Sequence, residues 1–325
     1  MFFSYTPNPC FERTLLVENF ALGGSFRLAP EQTILGAGGK GINSARVCAH
    51  FGQPSIVLAH VGKQQIYQFQ DLLKTPNLSA ELLETQSLTR TAINIVHENI
   101  LHDSKTEIVE AGIAPTIAEG TQIFEKWREF LPKCDLAAIG GSYPVSNDAG
   151  WNLHSSILCQ MAVKAGKRLI YDGKGEAFKR AVNSNCPPWA IKPNLQEAAE
   201  LWGRPIETPA EERGAIRHFL NRGVDVVLLS CGRRGLYVGY NRQIEFFHAP
   251  IVEEISSVGS GDSLVGAFAA KYLETGDVFE AAKWGVAAGS ANAAKLESAT
   301  VTIEEAAKLL PQIRRQMTEI SLQVN

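Results

Sequence analysis

The sequence predicts an α/β protein: a mostly parallel sheet with helices on both faces, carrying a small antiparallel sheet as a lid. Three observations predict it. Short apolar runs alternate with amphipathic helical patterns along most of the chain, the rhythm of strand–helix–strand crossovers. Two early stretches switch to period-two alternation, which reads as antiparallel strands with one polar face. Two glycine-rich turns stand directly before helices, at the kind of position where open α/β sheets collect ligands.

Taken in order, residues 14–19 and 25–35 alternate as strands, and 90–97 with 105–110 do so again. These form the predicted lid, from about 12–35 and 88–112. Apolar runs at 55–61, 136–140, 168–172, 189–192 and 225–231 read as buried strands. Amphipathic patterns near 42–51, 118–130, 150–165, 195–202 and 209–221 read as the helices between them. From Gly261 onward the chain is helical and rich in small residues, notably 281–294, which suits close helix packing. The five tryptophans, at 127, 151, 189, 202 and 284, read as core or interface anchors.

Composition bounds the function. At roughly 150 residues per domain, 325 residues allow two units or one large α/β domain, and the rhythm predicts a single domain over 1–325. Lys+Arg 31 against Asp+Glu 34 gives a net charge of −3, without the basic excess of a nucleic-acid or membrane-surface binder. Six cysteines (10, 48, 134, 159, 186, 231) form no CxxC pair, and seven histidines show no HExxH. Scattered thiols fit a reducing compartment. The segment Met1 to Pro7 lacks a basic leader, and no apolar stretch approaches 18 residues. The expectation is a soluble, cytoplasmic protein.

Three segments carry chemistry. Gly36-Ala37-Gly38-Gly39-Lys40-Gly41-Ile42-Asn43 precedes a helix, where open backbone N–H groups and Lys40 can hold an anion. Its spelling satisfies GxGxxG, but no acidic residue follows the next strand to take a ribose hydroxyl, and Gly41 after Lys40 is not a Walker A ending. A plain tight turn explains it equally well. Val258-Gly259-Ser260-Gly261-Asp262-Ser263 opens an apolar helix; its N–H groups can form an anion hole toward which Asp262 projects as a base. A capping aspartate is the simpler alternative. Lys192-Pro193-Asn194-Leu195-Gln196-Glu197 puts two oxygen donors at a helix start, suited to Mg²⁺ through its waters or, equally, to a capping box.

Together these segments resemble the ribokinase-like sugar kinases, the phosphofructokinase B family, and most closely their 1-phosphofructokinase and tagatose-6-phosphate kinase branch. Thr6-Pro7-Asn8-Pro9, Gly38 to Asn43, Thr89-Arg90-Thr91, Thr106-Glu107-Ile108, Gly141-Ser142, Lys192 to Glu197, Val258 to Ser263 and Ala288-Gly289-Ser290-Ala291 follow the family's order. The resemblance implies a ribokinase-like three-layer fold and transfer of the γ-phosphoryl of ATP to a sugar-phosphate hydroxyl, with Mg²⁺. It implies Asp262 as base and Gly259, Ser260 and Gly261 as the anion hole. It implies Asn194 and Glu197 as organisers of Mg²⁺, and Lys192, Asn194, Ser230, Gly232, Gly235, Ala288 and Asn292 as walls of the nucleotide site. Gly38, Gly39, Asn43, Glu12 and Ser142 would contact the sugar. Arg27 and Arg90, assisted by Lys40, would clamp the phosphate already on it. A homodimer through the lid is implied by the same analogy.

Departures bear on the substrate. Glu12 replaces the branch's Asp, Tyr143 would bring an aromatic near the sugar, Val109 replaces an Asn, and Gly173 replaces a Ser or Thr. Three alternatives stand beside fructose 1-phosphate, fructose 6-phosphate or tagatose 6-phosphate as acceptor. They are an unphosphorylated sugar or nucleoside, a sugar-phosphate sensor without catalysis, and, on the literal GxGxxG alone, a dehydrogenase.

Overall fold

The structure, a computed structural model, describes residues 1–96, 106–146 and 149–318. The stretch 97–105 of the predicted lid lies outside the described residues. Strands run as β1 (Phe2–Thr6), β2 (Cys10–Leu16), β3 (Thr33–Gly38), β4 (Ser55–Gly62), β5 (Leu78–Thr85), β6 (Arg90–Val96) and β7 (Thr106–Val109). They continue as β8 (Leu136–Gly140), β9 (Arg168–Asp172), β10 (Ala190–Ile191), β11 (Val226–Ser230), β12 (Gly235–Tyr240), β13 (Gln243–His248) and β14 (Arg314–Thr318). The helices are α1 (Lys40–His50), α2 (Ile66–Leu72), α3 (Ile117–Phe130), α4 (Ala149–Lys164), α5 (Gly175–Val182), α6 (Leu195–Trp202), α7 (Pro209–Asn221), α8 (Ser260–Thr275), α9 (Val278–Ala293) and α10 (Ile303–Leu309).

Ten strands form one sheet in the order β14-β13-β12-β11-β10-β9-β8-β1-β4-β5. From β5 to β11 all pairings are parallel, and β12, β13 and β14 add an antiparallel edge. Alternation along each strand splits the core in two. Phe2, Val57, Ala59, Leu136 and Leu228 face one layer with residues of α1, α8 and α9. Phe3, Tyr5, Ile139, Leu169 and Val227 face the other, with Trp127, Leu158, Phe178 and Phe219. The five buried strands and five helices read from the sequence appear within two residues of their predicted ends.

The sequence reading lacks β5, β12, β13, α2 and α5, and β14 is a strand where it expects only helix; the most consequential element it lacks is β1. Its five residues are buried between β8 and β4, third from the β5 edge of the sheet. It is followed by β2 and not by a helix, so the crossover rhythm that marks its neighbours is missing. The close approach of α1 to β1 and β8 depends on glycine. A Cβ on Gly41 would meet Thr6 Oγ1 at 2.5 Å and Ser4 Oγ at 2.7 Å, and one on Gly140 would meet the Gly41 backbone nitrogen at 2.3 Å. Gly140→Ala must therefore push α1 off β8. We expect a loss of about 3 kcal/mol in urea unfolding, with activity falling in parallel because the site lies on the same helix end.

The small sheet runs β3-β2-β6-β7. Its outer pairs, β2 with β3 and β6 with β7, are antiparallel, while β2 and β6 join them in parallel. The predicted strand 25–35 shrinks to a start at Thr33, because Pro30 opens a short 3-10 turn at Pro30–Gln32.

Candidate active site

The carboxyl ends of the parallel strands and the starts of α1, α6 and α8 surround a cleft of about 910 Å³, within the range of small-ligand sites. Gly259, at φ +78, is the N-cap of α8. That left-handed turn presents the first-turn N–H groups of Gly261 and Asp262, which have no intrahelical partner, to the cleft. Gly259, Ser260, Gly261 and Asp262 all line it. Asn292 braces the turn from beneath. Its Nδ2 donates to Val258 O (2.7 Å) and Ser260 Oγ (3.2 Å), and its Oδ1 accepts from Ala299 N (2.7 Å) and Ser263 Oγ (3.2 Å).

Asp262 is buried, and its Oδ2 accepts from Asn43 Nδ2 at 2.9 Å. Burial first and the nearby Asp172 second raise its pKa to about 6, against the opposing pull of Lys40, Asn43 and Lys192. Lys40 Nζ lies 2.9 Å from Asp172 Oδ1 and 3.4 Å from Glu197 Oε1. Lys192 Nζ lies 3.4 Å from the same Asp172 oxygen. Burial favours a neutral Lys40, yet Asp172, Glu197 and Asp262 outweigh it and hold the ammonium more firmly charged than usual. Two ammonium groups and three carboxylates thus meet at one end of the cleft.

Asn194 and Glu197 form a complete capping box at the start of α6: Glu197 N donates to Asn194 Oδ1 (2.8 Å) and Asn194 N to Glu197 Oε2 (2.9 Å). The capping alternative is therefore realised, with Glu197 Oε1 left toward Lys40. Ser230 bridges to Asn194 at the ends of β10 and β11, and Gly232 and Gly235 continue the same wall. Ala288 and Asn292 require correction as walls of the nucleotide site. Both are fully buried, Asn292 because all its polar capacity goes to the brace just described, and the cleft is lined instead by Val286, Gly289, Ser290 and Ala293.

On the side of the small sheet, Gly38 ends β3, Gly39 caps α1 and Ser142 follows β8, half-buried. Glu12 on β2 accepts a hydrogen bond from Ser298 Oγ at 2.9 Å. Arg90 donates from Nη2 to Asn8 O (2.9 Å) and from Nη1 to Glu110 O (3.4 Å), leaving its buried Nε without a partner. Arg27 is not brought to this cleft: it is exposed on the irregular segment between β2 and β3. Tyr143 does not face a sugar pocket either. It packs edge-on to Tyr5, lies 5.4 Å from Trp151 by ring centroids, and its hydroxyl meets His154 Nδ1 at 3.3 Å, because the apolar layer under α4 accommodates the ring. Sequence reasoning gave no role to Asp172, Arg46 or Ser298. Asp172 carried a usable signal, an acidic residue at the carboxyl end of a predicted parallel strand.

First-turn N–H groups at a helix start, a buried carboxylate with a raised pKa and two lysines share one α/β cleft, a set of groups suited to phosphoryl transfer. Residues 13–306 match the model of the pfkB family carbohydrate kinases, and the chain belongs to that family. It is 24% identical to a tagatose-6-phosphate kinase of Staphylococcus epidermidis over 96% of this chain and 98% of the relative. Its structure superposes on a possible 1-phosphofructokinase from Thermotoga maritima with a TM-score of 0.88, at 20% identity over 98% and 99% of the two chains. The tetrameric inhibited form of phosphofructokinase-2 from Escherichia coli gives 0.82 at 26% identity, over 96% and 98%. The fold is ribokinase-like.

Proposed function

We propose that the protein transfers the γ-phosphoryl of ATP to a hydroxyl of a phosphorylated ketohexose, fructose 1-phosphate before fructose 6-phosphate or tagatose 6-phosphate, with Asp262 as the base. The observation that carries this reading is the placement of the buried Asp262 carboxylate on the same turn as the Gly259-Ser260-Gly261 anion hole, with Lys40 and Lys192 facing it. Asp262 takes the acceptor proton, while the N–H groups and lysines offset charge on the transferring group. The nucleotide lies along Asn194, Ser230, Gly232 and Gly235. Gly38, Gly39, Asn43, Glu12 and Ser142 hold the sugar, and the small sheet closes over it as a lid that excludes water.

Mg²⁺ fits this cleft through phosphates and water. Among the described residues no group of three or more His, Cys, Asp or Glu side chains is placed to cage a metal. Yet Asp172 Oδ2 is buried without a partner and Glu197 Oε1 stands beside it across Lys40. Asn194, Glu197 and Asp172 are the side chains that would hold the ion's waters. When bound, the ion supplies charge neutralisation to the nucleotide phosphates. The whole chain acts as one domain, and two copies pair through their lids. A cytoplasmic location suits the six free thiols, and among the described residues no helix is long and apolar enough to cross a membrane.

The test is ADP release from Mg-ATP across fructose 1-phosphate, fructose 6-phosphate, tagatose 6-phosphate, fructose, ribose and adenosine. Turnover restricted to one phosphorylated ketohexose is expected. Arg90→Ala is expected to raise the KM for that substrate about 10- to 100-fold with kcat nearly kept, the loss of one or two charge-assisted bonds. A second reading, a kinase of an unphosphorylated sugar, is favoured by one observation: Arg27 lies outside the cleft and Arg90 is already fastened to two backbone carbonyls. Turnover only on fructose, ribose or adenosine, indifferent to Arg90→Ala, would select it.

A further inference from the structure

Arg46 has no part in the chemistry described so far. It sits on α1 one turn after Asn43, it is 8% exposed, and among the described residues it makes no ion pair. A buried guanidinium without a carboxylate partner is costly, and two hydrogen bonds offset part of that cost. Nη2 donates to the carbonyl of Ala37 on β3 at 2.5 Å, and Nη1 donates to Asn43 Oδ1 at 3.2 Å. Asn43 Nδ2 in turn donates to Asp262 Oδ2 at 2.9 Å.

We propose that Arg46 is a positioning residue for the catalytic base: by donating to Asn43 Oδ1 it fixes which end of that amide faces Asp262. This rests on the reading of Asp262 as the base. A guanidinium has donors and no acceptor, so only the oxygen of Asn43 can face it. The amide nitrogen must then face the carboxylate. In the opposite orientation the amide oxygen would face Asp262 Oδ2, a repulsive contact unless the carboxyl carries a proton. Arg46 thus keeps a donor on Oδ2, favours the ionised base, and leaves Oδ1 for the acceptor hydroxyl. Ala37 O anchors the other arm of the fork, so the guanidinium plane cannot swing away.

Lys40, Lys192, Asp172 and Cys10 surround Asp262. Glu12, Glu297 and His50 lie around Arg46. Burial is the largest influence on Arg46 itself and lowers its pKa, with Glu12 and Glu297 opposing.

The test is the acidic limb of kcat against pH, at saturating Mg-ATP and the best acceptor from the panel. Substrate ionisation is common to all variants, so differences between them report the enzyme. Arg46→Met should move the limb up by at least half a pH unit, and so lower kcat about threefold or more at pH 5, on the acid side of the limb. In an Asn43→Ala background the same substitution should move it no further, since the effect passes through the amide. Arg46→Lys keeps the charge but cannot fork to both acceptors. It should show a smaller upward shift, and it serves if Arg46→Met does not fold. A limb that stays in place in the folded variants, whatever happens to the melting temperature, overturns the proposal and leaves Arg46 a brace between β3 and α1. So does a shift of equal size in the Asn43→Ala background. An active Asp262→Asn enzyme would remove the base assignment itself; an inactive one with an unmoved limb removes only Arg46.

Discussion

Asp262→Asn is expected to lower kcat by about 10³- to 10⁴-fold while leaving Mg-ATP and sugar binding within a few-fold of the parent enzyme. Asparagine keeps the size of the side chain and an oxygen that can accept from Asn43 Nδ2, so the α8 turn and its first-turn N–H groups stay in place. What it lacks is proton affinity. Single-turnover kinetics measures the first effect and calorimetric titration the second. As the proposed base, the same carboxylate should set the pH dependence of the parent. Its folded pKa lies near 6, raised from 3.8, and the base works only when ionised, so turnover should fall as pH drops through about 6. The sign for stability is opposite. The folded state holds this proton more tightly than the unfolded chain, so ionised Asp262 costs stability above about pH 6, and that cost fades as pH falls toward 4. Asp262→Asn should therefore melt no lower than the parent at pH 7.5. A variant that is inactive and also markedly less stable would mean that Asp262 mainly supports the turn.

The parts of this molecule that the sequence discloses are those whose cause is local. Helix α6 begins at Asn194 because Asn194 and Glu197 satisfy each other's backbone N–H, and the three-residue spacing displays that in advance. The parallel strands show themselves as short apolar runs because both faces are buried. Gly259 marks its turn because the backbone there is left-handed. β1 stays hidden because its identity depends on what packs beside it, Ile139 on one flank and Leu58 on the other, more than 50 residues away in either case. The fates of Tyr143 and Asn292 are non-local in the same way. A tyrosine can face a ligand or a core, and only the apolar layer formed by Tyr5, Trp151 and Phe124 decides between them. The Arg46–Asn43–Asp262 chain joins α1 to α8 across 219 residues of sequence, a link that no spacing rule reaches.

Lys40→Met separates two roles for the lysine that the sequence leaves open. If Lys40 clamps the phosphate on the sugar, removing its charge raises the KM for the sugar phosphate and leaves kcat nearly intact. The geometry argues otherwise. Lys40 Nζ is tied to Asp172 at 2.9 Å and to Glu197 at 3.4 Å, on the side of the cleft where Asn194 and Ser230 stand, and its charge helps hold Asp262 ionised. The expected result is a fall in kcat of about 10²- to 10³-fold with the KM for the sugar phosphate changed less than threefold. With Lys40 gone, the pull that lowers the Asp262 pKa weakens, so the acidic limb of kcat should also move to higher pH. Stability should drop as well, by up to about 3 kcal/mol, because Asp172 and Glu197 remain buried with one cation fewer. Lys192 limits the damage through its own contact with Asp172 at 3.4 Å. Lys40→Arg keeps the charge, so it should recover most of the stability and return the limb. Its planar fork cannot reproduce the compact ammonium between two carboxylates, so kcat should recover only in part. A KM effect alone, with kcat and limb unchanged, would return Lys40 to the sugar clamp.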